Sequence, residues 1–324
     1  MSIVPRTVAA VFVLATLALP CAAQNYPEKS IRFISPYPPG GTTDLLTRTI
    51  GLKLSEQIGQ PVVVENRAGA GGNVGSEIAA KAPPDGYTIL MAPISPMAIN
   101  VSLYGKKLPF NPERDFVPIV LVAKSPLVIT VHPSVPAKTL KELIALARTT
   151  PGKMTYGSSG SGSSNHLTGE LFKALARVNI IHVPYKGGAP AAIALISGET
   201  DMAVLQIPTL LPHYRSGRVR PIVISGTRRS PAIPEVPYAG ETGFKGLEST
   251  SWYVIVAPGR TPRPIVDKLH ATLAKVLNMP EVRDKLTAEG AILENMTPDE
   301  LKIFIRSEVD KWAQAVAFSG AKVD

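Results

Sequence analysis

Ile31-Arg32-Phe33-Ile34, followed by Ser35-Pro36-Tyr37-Pro38-Pro39-Gly40-Gly41-Thr42-Thr43-Asp44, reads as an apolar strand that ends in a Pro-Pro-Gly-Gly turn and opens directly onto a helix. The helix pattern runs from about Thr43 to Gln57, with Leu46, Ile50, Leu54 and Ile58 on one face. Gly59 follows where a left-handed cap is required. A second start of the same kind occurs at Ser158-Ser159-Gly160-Ser161-Gly162-Ser163-Ser164-Asn165-His166. The first-turn N–H groups of a helix have no intrahelical acceptor, and the helix end carries roughly half a positive charge. Glycine lets a ligand oxygen approach the backbone without meeting a Cβ. Two such anion seats, far apart in sequence, imply two lobes closing on one acidic solute.

The same style continues along the chain. Strands are read at Pro61–Glu65, Tyr87–Met91, Leu127–Val131, Met154–Tyr156, Ile180–Val183, Asp201–Leu205, Val219–Ser225 and Trp252–Val256. Helices are read at Gly75–Lys81, Thr139–Arg148, Ser164–Ala176, Pro190–Ile196, Pro208–Tyr214, Pro264–Asn278, Pro280–Glu289 and Pro298–Phe318. Alternation of this kind is the signature of α/β units on mostly parallel sheets. The Pro-rich passage Ser230–Pro237 breaks the rhythm and reads as a crossover between lobes.

Arg6, the apolar run Val8–Leu19 and the small residues Ala22-Ala23 form a secretory signal peptide pattern, with cleavage expected near Ala23. Pro20 argues against lipid attachment at Cys21, the only cysteine, so the exported chain is expected to hold neither a disulfide nor a thiol nucleophile. The formal net charge is +9, but Lys and Arg are scattered singly or in pairs without interleaved aromatics. A nucleic-acid partner is therefore not expected. No G-x-S-x-G elbow and no H-E-x-x-H spacing occurs, which leaves an exported hydrolase as a remote alternative. No metal or cofactor site is expected. Gly69-Ala70-Gly71-Gly72 follows the second strand, not the first, and lacks dinucleotide-binding spacing, so it reads as a turn tied down by Asn66 and Arg67.

Several strings resemble one family. They are Tyr26-Pro-x-Lys29-x-Ile31-Arg32-x-Ile34-x-Pro36-Tyr37-Pro38-Pro39-Gly40-Gly41-x-x-Asp44, Val63-Val64-Glu65-Asn66-Arg67-x-Gly69-Ala70-Gly71-Gly72 and Pro84-Asp85-Gly86-Tyr87-Thr88. Further on come Asp115-Phe116-x-Pro118-Ile119, Gly160-x-Gly162-Ser163-Ser164-x-His166-Leu167, His182-Val183-Pro184-Tyr185-Lys186-Gly187 and Arg229-Ser230-Pro231-x-x-Pro234-x-Val236-Pro237. The chain resembles the Bug family, the periplasmic solute-binding receptors of tripartite tricarboxylate transporters. The resemblance implies an α/β, two-lobed periplasmic-binding-protein fold of the Venus flytrap, type II-like kind with two interlobe crossovers, and no enzymatic activity. It further implies a buried small organic acid, the membrane permease subunits of such a transporter as partners, and a periplasmic location. The expected division is a signal peptide over 1–23, a first lobe from 24–124 and 249–324, and a second lobe over 125–248, in a monomer. A sensor that presents its solute to a membrane signalling partner would have identical binding chemistry.

Carried over by position, the ligand contacts implied are Tyr37 to Asp44 and Ser159 to Ser164. From the residues themselves, the N–H groups of Gly41, Thr42 and Thr43 would hold a carboxylate, with Pro39 and Gly40 shaping the turn. Asp44 would order the loop rather than touch an anion, since two negative charges in a dry pocket repel. Ser159, Gly160 and Ser161 supply close backbone approach, and Ser163 or Ser164 caps the next helix. His166 could donate to a carboxylate or hold the loop. Ser95 lies where strand ends face a cleft. Tyr185, Lys186, Gly187 and Gly188 form another strand-to-helix turn, with Gly187 or Gly188 approaching the ligand closely and Lys186 either on the solute or in solvent. Where relatives carry a polar residue, this chain has Leu205 beside Gln206. Leucine there points to a solute without a positive charge, a di- or tricarboxylate or an aromatic acid.

Overall fold

The computed structural model describes residues 26–322; the signal-peptide reading and Cys21 lie outside them. In chain order the elements are β1 (Ile31–Ser35), α1 (Thr42–Ile58), β2 (Val62–Asn66), α2 (Asn73–Ala80), β3 (Thr88–Pro93), a π-helical turn (Ser95–Ile99), α3 (Asn100–Tyr104), α4 (Pro112–Asp115) and β4 (Phe116–Val131). They continue with α5 (Leu140–Thr149), β5 (Thr155–Ser158), α6 (Ser164–Ala176), β6 (Ile181–Pro184), α7 (Gly188–Ser197), β7 (Met202–Gln206), α8 (Ile207–Arg215) and β8 (Arg220–Ile224). The chain ends with β9 (Thr250–Pro258), α9 (Arg263–Leu277), α10 (Pro280–Ala288) and α11 (Pro298–Ser319).

The strands form a mixed sheet in the order β2-β1-β3-β9-β4-β7-β5-β6, with β8 also paired to β4. Two parallel groups, β2-β1-β3 and β6-β5-β7, flank the antiparallel pair β9-β4. β4 serves both halves. Phe116 to Pro126 pair with β9, and Leu127 to Val131 pair with β7 and β8. The chain passes back where Ser249 bonds Ser225 in one half and Thr250 opens β9 in the other. The result is a two-lobed α/β fold with two crossovers.

Each lobe has helices on both faces of its sheet and hence two apolar layers. In the first lobe, Leu46, Ile50 and Leu54 of α1 pack with Phe33 and with Leu269 and Leu273 of α9. Full burial of each such side chain is worth about 1.5–3 kcal/mol, and Gly59 ends α1 at φ 69° as expected. The opposite layer holds Ile34, Leu90, Trp252 and, from α11, Leu301, Ile305 and Trp312. Glu308 of α11 accepts from Trp252 Nε1 at 2.8 Å and Trp312 Nε1 at 3.1 Å, so the last helix is pinned through a buried carboxylate. In the second lobe, Leu143, Phe172 and Val204 form one layer, and Val128, Leu195, Leu205 and Leu210 the other.

Two sequence expectations change. β4 begins at Phe116, not Leu127, because Pro118 and Pro126 sit at places the ladder tolerates: a register shift follows Pro118, and Pro126 is where the pairing passes from β9 to β7. The Ser230–Pro237 passage is not a crossover. Ile233 and Val236 are buried in the second lobe with Leu205 and Ile224, and the return to the first lobe comes later, at Thr250.

Candidate functional site

The parallel strands of both lobes end at a common gap, the position where open α/β sheets carry their ligands. About 340 Å³ of empty space lies there, counting its open mouth. From the first lobe, Tyr37 and the Gly41-Thr42-Thr43 start of α1 follow β1; Pro93 and Ser95 end β3; Ser251 and Tyr253 come from β9. The second lobe supplies Ser159, Ser164 and Asn165 around the start of α6, Gly188 at the start of α7, and Gln206 at the end of β7.

Four helix starts therefore converge. Gly41 caps α1, Ser163 caps α6 by accepting the His166 N–H at 3.2 Å, Gly187 caps α7 and Gln206 caps α8. A Cβ on Gly41 would lie 3.8 Å from the backbone nitrogens of both Gly188 and Ala189, so the N-termini of α1 and α7 face each other from opposite lobes. Positive helix ends brought together repel, and an anion between them turns that repulsion into attraction. Among the described residues, no Asp, Glu, Lys, Arg or His lines the space. The donors are backbone N–H groups, the Gln206 amide and a ring of hydroxyls. Burial pushes the Tyr37 phenol up to about 12, partly offset by a hydrogen bond with Ser95, and Tyr253 is raised by burial too. Both phenols therefore stay neutral at any physiological pH, and that of Tyr37 donates to the Gly71 carbonyl at 2.9 Å.

The lobes touch at the site. Thr209 Oγ1, in the first turn of α8, accepts the Thr42 N–H at 3.2 Å and lies 3.0 Å from Thr42 Oγ1. Ser164 Oγ donates to Ser251 Oγ at 3.4 Å. Gly71 and Gly162 meet between the lobes: a Cβ on Gly71 would stand 2.7 Å from the Ser161 carbonyl, and one on Gly162 2.6 Å from Asn100 Oδ1.

Asp44 orders the α1 loop. Its carboxylate accepts from Gly40 N–H at 3.1 Å, Arg48 Nε at 3.0 Å and Asn66 Nδ2 at 2.8 Å. Burial opposes its charge, but the Arg48, Asn66 and Gly40 donors outweigh that and hold the carboxyl below its ordinary value. Asn165 does the same for α6, donating to the Val204 carbonyl at 2.7 Å while its Oδ1 accepts from Ser159 Oγ at 2.6 Å.

Of the residues singled out in the sequence, Tyr37, Gly41, Thr42, Thr43, Ser95, Ser159, Ser164 and Gln206 line the inner space. Gly160, Ser161, Tyr185 and Lys186 line an outer vestibule of about 830 Å³, again counting its mouth, which shares Tyr37 and Ser159 with the inner space. There the Tyr185 hydroxyl donates to Glu199 at 2.7 Å, and Lys186 is exposed. The others stand elsewhere. Pro39 and Gly40 lie on the exposed turn. Gly187 admits the close approach of Pro38, whose Cδ would be 2.8 Å from a Cβ. Ser163 is spent on its cap, and His166 holds the loop: its Nδ1 accepts the Gly162 N–H at 3.2 Å, and its ring stacks on His182 at 4.1 Å.

Leu205 requires a correction. Its side chain is fully buried with Val128, Ala191, Leu195 and Ile224, because the alternation of β7 turns residue 205 to the core and leaves Gln206 at the space. The inference drawn from Leu205 about solute charge falls with it. Of the Gly187-Gly188 pair it is Gly188 that lines the inner space, whereas Pro93, Asn165, Thr209, Ser251 and Tyr253 were not anticipated as site residues and carry no local signal.

The profile of the tripartite tricarboxylate transporter family receptors matches residues 46–320. The chain belongs to that family. It is 36% identical to Protein BugT of Bordetella pertussis over 310 residues, 95% of either chain. The receptor also superposes on R. palustris Rpa4515 with adipate at a TM-score of 0.89, with 33% identity, covering 92% of this chain and 100% of that one. It matches MatC (Rpa3494) from Rhodopseudomonas palustris with bound malate at 0.86, with 31% identity, covering 90% and 100%. Receptors of this family and the similar solved structures are periplasmic binding proteins, not enzymes.

Proposed function

We propose that this receptor captures a small dicarboxylate in the periplasm and delivers it, enclosed between its lobes, to the membrane subunits of a tripartite tricarboxylate-type transporter. The observation that carries the reading is the convergence of four helix starts from two lobes on a space that no charged side chain lines. One carboxylate would rest on the N–H groups of Thr43 and Gly41 opposite those of Gly188 and Ser164, with hydroxyls completing its shell. The adipate and malate of the similar structures favour a short aliphatic diacid over a tricarboxylate or an aromatic acid. The lobes would be 24–124 with 249–324, and 125–248, rotating about the crossovers at Pro126 and Thr250. Solute binding would favour the closed form because only that form brings all four helix starts together.

Isothermal calorimetry of the exported chain with malate, succinate, adipate, citrate and benzoate tests this. Tight binding of at least one aliphatic diacid, with citrate and benzoate weaker, is expected. Binding of benzoate alone, or of none of the five, would overturn the assignment of solute class.

A further inference from the structure

Behind the crossover strands lies a second recess that takes no part in the site above. Ser251 of β9 borders the inner space, whereas Thr250 borders the recess; successive strand residues point to opposite faces, so the two spaces lie on opposite sides of the hinge. The recess has about 760 Å³ of empty space, counting its mouth. Its walls come from both lobes: the Gly226–Pro231 loop of the second, Pro126 and Thr250 at the crossovers, and the end of α10 from the first. The Arg229-Ser230-Pro231 string, prominent in the sequence and unused by the solute site, is part of it.

Among the described residues, three arginines line this recess and no acidic residue does. Arg229 is committed, with Nε 2.8 Å from Glu241 Oε2 and an N–H donated to the Pro234 carbonyl. Arg228 makes no ion pair or hydrogen bond among the described residues, and Arg283 reaches only the neutral Asn278 Oδ1, at 3.3 Å. Two unneutralised arginines, one from each lobe, thus line one recess. Thr287 follows Arg283 by one helical turn on the same face, and Thr250 adds a second hydroxyl-bearing residue to the lining. Arginines from two lobes together with hydroxyl-bearing residues on one recess suit a compact oxyanion carrying two charges. The lobes already meet beside it, since a Cβ on Gly290 would lie 2.8 Å from Ile207 and 3.1 Å from Ser230 Oγ. A rotation that widens the front cleft must narrow the rear.

We infer that this recess is a second anion site, for a doubly charged oxyanion of the phosphate type, whose occupancy holds the receptor closed. The two arginines clamp the anion from either side of the hinge, and the filled recess resists opening. By linkage, closure at the front, which keeps the rear recess wide enough for the anion, also raises the affinity for it there.

The test is calorimetric titration of inorganic phosphate at constant ionic strength, with small-angle scattering in parallel. It compares the wild-type chain, the double variant R228Q/R283Q and, to exclude the front cleft, Gly41→Leu. Wild type is expected to bind one phosphate, and Gly41→Leu to bind one as well, more weakly because its front cannot close fully. In wild type the radius of gyration should fall as phosphate saturates. R228Q/R283Q should lose at least tenfold in phosphate affinity while keeping its circular dichroism and thermal midpoint, because both side chains are exposed. Absence of binding by wild type would overturn the inference, as would equal affinity in the double variant, loss of binding in Gly41→Leu alone, or expansion of the chain on binding.

Discussion

Thr209→Val isolates the energy of lobe closure. The substitution keeps the shape of a β-branched side chain in the first turn of α8 and removes the one oxygen that accepts the Thr42 N–H at 3.2 Å. Thr42 and Thr209 are both buried where the lobes meet. In the open form water replaces the lost acceptor, so the cost falls on the closed form alone. A buried donor left without a partner costs about 1–3 kcal/mol, which corresponds to a solute affinity roughly 5- to 150-fold weaker. The threonine hydroxyl of residue 42 can turn elsewhere, so the backbone N–H carries most of this loss. Calorimetry with whichever diacid binds wild type best measures the change, and the thermal midpoint without solute checks that the second lobe remains folded. An affinity within twofold of wild type, with the fold intact, would refute the claim that this bond is made only on closure.

Four further outcomes are expected. Gly41→Leu should abolish solute binding and leave the fold intact, because residue 41 has φ −91°, which any residue adopts, while the new side chain would stand between the starts of α1 and α7; calorimetry and circular dichroism read the two halves of that statement. Gly162→Ala should weaken solute binding more than tenfold, since its φ of 81° and a Cβ 2.6 Å from Asn100 Oδ1 oppose closure together; unchanged affinity would place the lobe contact elsewhere. Glu308→Leu should destabilise the chain by about 2–4 kcal/mol by stranding two buried indole N–H groups, read by denaturant unfolding followed through Trp252 and Trp312. Asp44→Asn should cost about 1–3 kcal/mol at pH 7 and less in acid. The Asp44 carboxyl is held below its ordinary 3.8, so its contribution is complete above that value and disappears as pH falls through the folded one. Unfolding of both chains at pH 7 and pH 3 tests the sign, and a gap that widens in acid would refute it.

The elements that were legible in the sequence are those whose boundaries are set locally. α1 shows its apolar face at helical spacing and its stop at Gly59, and α6 runs from Ser164 to Ala176 as read, because Ser163 caps it with its own hydroxyl. β4 was only half legible, since prolines normally exclude a central strand and the two here survive only at a register shift and a change of partner. The site divided along the same line. Gly41, Thr42, Thr43, Ser159 and Ser164 belong to helix starts visible as strings. Thr209, Ser251 and Tyr253 are ordinary strand and helix residues whose meeting at the gap depends on how the lobes are set together. Leu205 and Gln206 show the limit most sharply: one residue of strand alternation decides which of the two is in the core.

The main-chain grip proposed for this pocket would have an unusual inheritance. A side-chain arginine can be lost by a single nucleotide change, but a peptide N–H persists through every substitution except proline. Away from the glycines that let the lobes approach, random change around the gap would therefore alter which acid fits and seldom whether an acid is held at all. A lineage built on this scaffold can exchange one nutrient for another in small steps, without passing through a form that binds nothing.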